Sequence, residues 1–359
     1  MRKKYLDNIR TAIVWIVVIY HIIYSYNNVG VINNTGLKGI PLMDSFLYFV
    51  YPWFMACLFL VAGISARYSL DKRTGRQFLK SRAKRLLVPS IAGIFLTGWI
   101  AGAMTSFYTG LLSGDLATLP GIIKYLFMCM IGIGPLWFAH ELFLVSAVLV
   151  LIRVIDKKDT LWNLGAKVNI PILLLLVLPV WGSSFLLNTP MIEVYRNGFY
   201  LFLFLLGYYV FSHDHVTDLL VKWKIPLLAA ALITGIAYTV YYYGENFTIL
   251  TCLQSPFTNI YLWIMILAIL GCGKAWLNRE TPFTRYLSSR SFAVYVLHYP
   301  ILMIAVFLLD NYLDLPMLLI YFILLLVSVT VLPLSIEIIR KIPGLRFLLL
   351  GEGKRQKET

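Results

Sequence analysis

A single histidine stands deep in the first apolar run of this 359-residue chain, Tyr5–Ser25 (YLDNIRTAIVWIVVIYHIIYS), with Asp7 and Arg10 towards its N-terminal end. At ~100° per residue, the steps from Arg10 to His21 come to ~20° beyond three full turns, so both side chains share a helix face. Asp7, Val14, His21 and Asn28 fall along much the same stripe, with Ser25 one turn past the histidine. At ~1.5 Å per residue His21 sits ~16 Å from Arg10, near the middle of a ~30 Å hydrocarbon layer. An ionisable group at that depth is costly and faces protein or water, which makes it a functional candidate for proton transfer. The bland alternative is a histidine that only hydrogen-bonds between helices.

Three more stretches carry candidate chemistry. The segment Arg67–Arg85 (RYSLDKRTGRQFLKSRAKR) holds eight positive charges, and Arg82 and Arg85, three apart at the mouth of an apolar run, are expected on one helix face. Paired guanidiniums clamp phosphate well because each offers planar, bidentate donors; contact with anionic lipid is the alternative. In Gly134–Glu141 (GPLWFAHE), Trp137 and Glu141 are four apart on one face and His140 is adjacent. A Trp at a span mouth serves as an interfacial anchor, but Glu141 lies further in, where a carboxyl can orient a histidine or bind an acceptor hydroxyl. In Ser291–Ile301 (SFAVYVLHYPI), His298 is inside a helix that Pro300 is expected to kink. His213 and His215 lie in an inner polar loop and receive no role. Walker loops, Rossmann glycine patterns, zincin helices and GxSxG elbows do not occur.

The elements that position these residues follow from composition. Hydrophobic residues make up 60% of the chain and charged ones 13%, with mean hydropathy +0.78. That charged fraction is about half that of a soluble domain. The net charge of +14 resides in short loops between apolar runs, which the positive-inside rule explains better than nucleic-acid binding. Cys57, Cys129, Cys252 and Cys272 are scattered with no metal-ligand spacing, so they read as free packing thiols and no metal is expected. Met1-Arg-Lys-Lys before an apolar run resembles a signal peptide, but no small-residue cleavage site follows, so the run reads as an uncleaved first helix.

The expected fold is all-α, a polytopic membrane helical bundle of about ten transmembrane helices with both termini cytoplasmic. The spans fall at roughly 10–27, 42–66, 86–107, 135–153, 170–187, 197–211, 225–243, 255–272, 291–309 and 317–339. With the N-terminus inside, the inner segments hold 28 of the 31 Lys and Arg residues, leaving only Lys38, Lys124 and Arg196 outside. Residues 1–340 form one transmembrane domain and 341–359 a short basic, frayed cytoplasmic tail. The outer loop 108–134 contains an apolar stretch, Leu116–Met130, that fits an interfacial or re-entrant helix. No matching pair of broken helices occurs in two halves, which weakens a secondary-transporter reading.

These stretches together resemble the acyltransferase-3 family of integral membrane acyltransferases over nearly the whole chain. Leu6-Asp7, Arg10 and His21 are similar to the family's N-terminal signature, and Leu58–Ser65 (LFLVAGIS) to its glycine-containing segment. Arg82 and Arg85, followed by Leu86 and Pro89, resemble its paired arginines. Leu136-Trp137-Phe138 resembles its fourth-span motif, and Ser291–Ile301 its late segment ending in histidine and proline. The resemblance implies transfer of an acyl group, acetyl or succinyl-type, from cytoplasmic acyl-CoA to a hydroxyl of a cell-surface or exported carbohydrate or lipid-linked saccharide. It implies His21 as catalytic histidine, Arg10 as its basic partner, and Arg82 and Arg85 as holders of the CoA phosphates. On this reading His21 is a general base or a transient acyl carrier, and Asp7 orders the CoA mouth with Arg10. The resemblance does not carry over the His140–Glu141 pair; from their positions, Glu141 is expected in the catalytic set, and Trp137, His140 and His298 are expected to line the acceptor side. Some relatives carry an added extracellular hydrolase-like domain, which this chain is expected to lack. The expected location is a bacterial inner or plasma membrane, in contact with its lipids. The rival reading is a proton-coupled transporter or flippase for a lipid-linked sugar, which would use the buried histidine and acids for proton coupling and need no acyl-CoA.

Overall fold

Inside hydrocarbon no water can satisfy backbone N–H and C=O groups, so long apolar runs close their hydrogen bonds within themselves as helices. The computed structural model describes residues 3–31, 35, 37–189 and 194–353. Its principal helices are α1 (Lys4–Tyr24), α2 (Pro41–Leu70), α3 (Gly75–Thr109), α4 (Gly121–Ile131), α5 (Gly134–Ile155), α6 (Ile170–Ser183) and α7 (Asn197–Tyr209). They continue with α8 (Asp214–Lys222), α9 (Lys224–Tyr242), α10 (Pro256–Trp276), α11 (Pro282–Tyr312), α12 (Met317–Lys341) and α13 (Pro343–Leu350). Among the described residues no strand forms, only an isolated bridge between Asn188 and Arg196. The all-α, multi-pass membrane bundle expected from the sequence is therefore the fold observed.

Eight of these helices are long and apolar enough to cross a bilayer: α1, α2, α3, α5, α9, α10, α11 and α12. Two runs expected as spans are shorter. α7 has 13 residues, ~20 Å of helix, and α6 is interrupted at Leu176. Other runs extend beyond their expected bounds. The basic segment before the third span is itself helical, so α3 starts at Gly75. α11 begins at Pro282, after a Thr281 whose hydroxyl accepts from the Thr284 N–H at 3.1 Å, and it runs through Pro300 without ending. The outer loop contains α4, as its apolar pattern suggests. The expected frayed tail instead forms α13, whose apolar Leu349 and Leu350 are buried; residues 354–359 lie outside the described part.

The chain divides into two compact units. The first comprises residues 1–13, 48–80 and 141–288; the second comprises 14–47, 81–140 and 289–359. In the first, α7 crosses α2 where a glycine on each helix meets the other's backbone. A Cβ at Gly63 would stand 2.0 Å from the Phe204 carbonyl oxygen, and one at Gly207 2.0 Å from that of Leu60. Only glycine permits so close a crossing, a device common between membrane helices. Near Pro52 helix α2 breaks, and the Trp53 indole donates to the Phe49 carbonyl at 2.7 Å. At the C-terminal end of α2, Arg67 is committed to structure. It donates to both Asp159 carboxylate oxygens at 2.9 and 3.1 Å and lies over the Trp162 ring at 4.4 Å. His213 stacks on that same Trp162 at 4.0 Å and bonds its main-chain carbonyl, which gives a packing role to a residue with no expected function.

In the second unit the helix that carries the arginine pair is not a regular α-helix. Pro89 has no N–H to offer the Arg85 carbonyl, and the preceding turn, Ala83–Leu87, widens into π geometry. α13 packs against the following turn, Val88–Gly93, and against α12. It ends at Gly351 (φ 63°), where a Cβ would lie 2.7 Å from the Lys84 carbonyl oxygen and 2.9 Å from the Arg85 Cα. Arg340 holds Glu352 at 2.7 Å, and Arg290 holds Glu337, tying α11, α12 and the end of α13 together. α9 in the first unit and α12 in the second expose rows of Ile, Val, Leu and Phe, the surface expected toward lipid.

Candidate active site

His21 lies near the end of α1, in the second unit. Its Nδ1 is 2.8 Å from the Val17 carbonyl oxygen, and its own carbonyl accepts from the Ser25 hydroxyl at 2.9 Å. Facing it is His298 of α11, fully buried, with Nε2 at 3.3 Å from His21 Nδ1. The Nδ1 of His298 is 2.8 Å from the Tyr295 carbonyl oxygen and 3.1 Å from that of Val294. The neighbouring Tyr299 sets its ring edge-on to His21 at 5.1 Å. Two imidazoles thus meet nitrogen to nitrogen in the apolar interior, each tethered to its own helix backbone.

The start of α5 supports this pair. Phe138 packs edge-on against Tyr295 at 5.6 Å, and Gly134, at φ 46°, lies directly against the Tyr299 ring. A Cβ at Gly134 would come within 2.6 Å of that ring, so the position demands glycine twice over, for conformation and for space. Trp137 is buried beside Phe138 rather than exposed at a lipid interface. His140 is partly buried. A narrow apolar gap of about 10 Å³ remains between Gly98, Ala101, Gly132, Leu136, Tyr299 and Pro300, roughly the space of one water molecule. Near the C-terminal end of α11, Asp310 accepts from the Tyr26 hydroxyl at 2.7 Å and the Tyr108 hydroxyl at 3.0 Å, fixing α11 to the segment after α1 and to the end of α3.

The remaining candidates fall into two groups. Arg82 and Arg85 belong to the second unit, with Arg82 half-buried and Arg85 exposed on the π turn, so they do not present identical surfaces. Asp7, Arg10 and Glu141 belong to the first. There Arg10 donates to Asp7 at 2.5 Å, three residues back on α1. Glu141 is 2% exposed, and Asn197, with its amide nitrogen turned toward the carboxylate, donates to both oxygens at 2.8 and 3.0 Å. The structure therefore joins Asp7 with Arg10, and His21 with His298.

Three participants were not singled out from sequence: Tyr299, Asn197 and Asp310. Asp310 carried a signal, an acidic residue at the end of an apolar run. Tyr299 is one of 23 tyrosines, and only its contacts distinguish it.

This arrangement, a membrane bundle with a buried histidine pair and a basic π turn, accompanies a match to the acyltransferase-3 family, described as an acyltransferase domain, over residues 3–337. The chain belongs to that family, and it is a multi-pass membrane acyltransferase. No curated protein and no solved structure matches it.

Proposed function

We propose that the protein transfers an acyl group from cytoplasmic acyl-CoA to a hydroxyl of an exported or cell-surface carbohydrate, with His21 as the catalytic base. The observation that carries this reading is the placement of His21, the histidine of the family signature, against a second imidazole inside an apolar bundle. In the reaction the acceptor oxygen attacks the thioester carbonyl as its proton passes to His21. The C–O bond forms, the C–S bond breaks, and the proton moves on to the thiolate, releasing CoA with a free thiol. An acyl-histidine intermediate divides the same balance into two steps, the imidazole attacking first.

Arg82 and Arg85 supply charge for the CoA phosphates at the inner mouth, and Asp7 and Arg10 order the beginning of α1. Glu141, Trp137 and His140 serve the acceptor side. A bacterial inner or plasma membrane suits this role, since CoA thioesters are cytoplasmic and the acceptor is exported. The test is thermal stabilisation of the purified protein in nanodiscs by CoA and by acetyl-CoA. Stabilisation of the native protein, weakened at least tenfold in apparent affinity by Arg82→Ala with Arg85→Ala, is expected from loss of charge-assisted phosphate bonds of about 1.5–3 kcal/mol. Absence of any stabilisation of folded protein would contradict acyl-CoA dependence and favour the transporter reading.

A further inference from the structure

The hydrogen positions on the two imidazoles can be worked out from what surrounds them. A carbonyl oxygen only accepts hydrogen bonds. His298 Nδ1 has two such oxygens, of Tyr295 and Val294, at 2.8 and 3.1 Å, so that nitrogen carries a hydrogen. The Val17 carbonyl oxygen at 2.8 Å requires the same of His21 Nδ1. With Nδ1 protonated, a neutral His298 has a bare Nε2, and the donor it faces at 3.3 Å is the Nδ1–H of His21. That hydrogen is shared between the Val17 oxygen and the His298 nitrogen, a three-centre bond. The reverse assignment, a hydrogen on His298 Nε2 pointing at a bare His21 Nδ1, sets that lone pair against those of Val17 at 2.8 Å. Of the two neutral assignments, only the first gives His21 Nδ1, His298 Nδ1 and His298 Nε2 each a matching partner.

From this we infer that His298 is a positioning residue: its Nε2 accepts from His21 Nδ1–H and so presents His21 Nε2 as the reacting atom. The inference rests on the acyl-transfer reading for its catalytic consequence, but the tautomer itself does not. His298 is fully buried, so no solvent competes for its lone pair. When His21 Nε2 takes the acceptor's proton, the ring becomes cationic and its Nδ1–H bond to His298 becomes charge-assisted and stronger. The partner thus stabilises the imidazolium at the moment it forms. A neutral imidazole does this more weakly than the carboxylate of a serine-protease triad, whose neutralisation costs about 10⁴-fold in turnover. Loss of the His298 acceptor should cost roughly 10- to 100-fold, the range typical of an orienting partner.

The test pairs tautomer and turnover. The full chain, labelled with ¹⁵N-histidine and held in nanodiscs, is examined by nitrogen NMR, with the His21 signals identified by their loss in His21→Ala. Native protein should show His21 protonated at Nδ1 and bare at Nε2; the opposite tautomer would overturn the inference without any variant. His298→Asn keeps a donor to the helix carbonyls but removes the acceptor, whereas His298→Gln places an amide oxygen near the lost Nε2. Turnover is read as CoA thiol released from acetyl-CoA. The Asn variant should lose roughly 10- to 100-fold in kcat with KM for acetyl-CoA within about threefold, and the Gln variant should recover most of it. Native kcat in His298→Asn, with His21→Ala inactive, would refute the positioning role and leave the acyl-transfer reading standing. The predicted tautomer together with full turnover in His21→Ala would refute acyl transfer through His21 and leave the hydrogen bond standing.

Discussion

Replacing Gly134 by alanine should damage the proposed active site through Tyr299. The backbone at this position has φ 46°, and an L-residue held in that region costs about 1–2 kcal/mol. The added Cβ would lie 2.6 Å from Tyr299 Cδ1 and 2.7 Å from Cε1. Carbon atoms pack at about 3.5–4.0 Å, so the ring must retreat by about 1 Å. It has little room to do so, being 6% exposed, set against His21 at 5.1 Å and bordered only by a gap of about 10 Å³. Overpacking of that kind costs about 1–3 kcal/mol, so Gly134→Ala should lose roughly 2–5 kcal/mol in all. A displacement of about 1 Å at a reacting group can also cost about 100-fold in rate. Gly110 provides the control, because its φ is 67° but the nearest atom to its Cβ position is Ser113 Oγ at 3.5 Å. Gly110→Ala should therefore incur only the backbone cost, about 1–2 kcal/mol, with native turnover. Both variants are compared in nanodiscs by thermal unfolding and by CoA release from acetyl-CoA. Equal stability and equal turnover for the two would refute the packing of Gly134 on Tyr299 and the route from it to His21.

Gly207→Ala should destabilise the α2–α7 crossing by about 3 kcal/mol or more, since the clash is with the Leu60 backbone and no side chain can yield. Gly182→Ala meets nothing within 4 Å and should be neutral or stabilising by up to about 1 kcal/mol; equal melting behaviour of these two variants would argue against the glycine crossing. Lys3→Ala tests the ion pair between Lys3 and Asp214 in the first unit. Burial alone raises the Asp214 carboxyl, but the hydrogen bond and charge of Lys3 at 2.7 Å bring it below its ordinary value. A carboxyl lowered in the folded state adds stability above its unfolded pKa of about 3.9, and that stability is lost as pH falls through the folded value. Asp214 is 59% exposed, so native protein should exceed Lys3→Ala by less than about 1 kcal/mol at pH 7, and the gap should close as pH falls through the lowered folded pKa of Asp214. A gap that persists in acid would show that Lys3 acts by packing alone.

Hydropathy and spacing revealed the membrane bundle and its chemistry-bearing residues because both are properties of a chain read locally. The stripe from Asp7 to His21 is a helical period, and Arg10 bonds Asp7 because three residues make nearly one turn. The partner of His21 was not legible, since His298 lies 277 residues away and no periodicity reports which helices touch. One clue emerges only with the true helix starts: each histidine stands roughly 25 Å along its helix, counted from Lys4 or from Pro282. The unequal exposure of Arg82 and Arg85 was not legible either, because an assumption of regular helix hides the π turn before Pro89. The basic loop also looked uniform, whereas Arg67 is bound to Asp159 and stacked on Trp162. Composition made the tail look frayed because its charges lie at the end, but Pro343–Leu350 is apolar enough to pack.

The most direct test of the account is acetyl transfer by His21→Ala. Inverted membrane vesicles containing the native or variant protein are given radiolabelled acetyl-CoA, and label in the carbohydrate fraction is measured. Thermal unfolding confirms that the variant is folded. General acid–base catalysis contributes about 10²–10⁴-fold, so transfer should fall at least 100-fold while acetyl-CoA still stabilises the variant. Native transfer by a folded His21→Ala protein would contradict the assignment of His21 as the group that moves the proton.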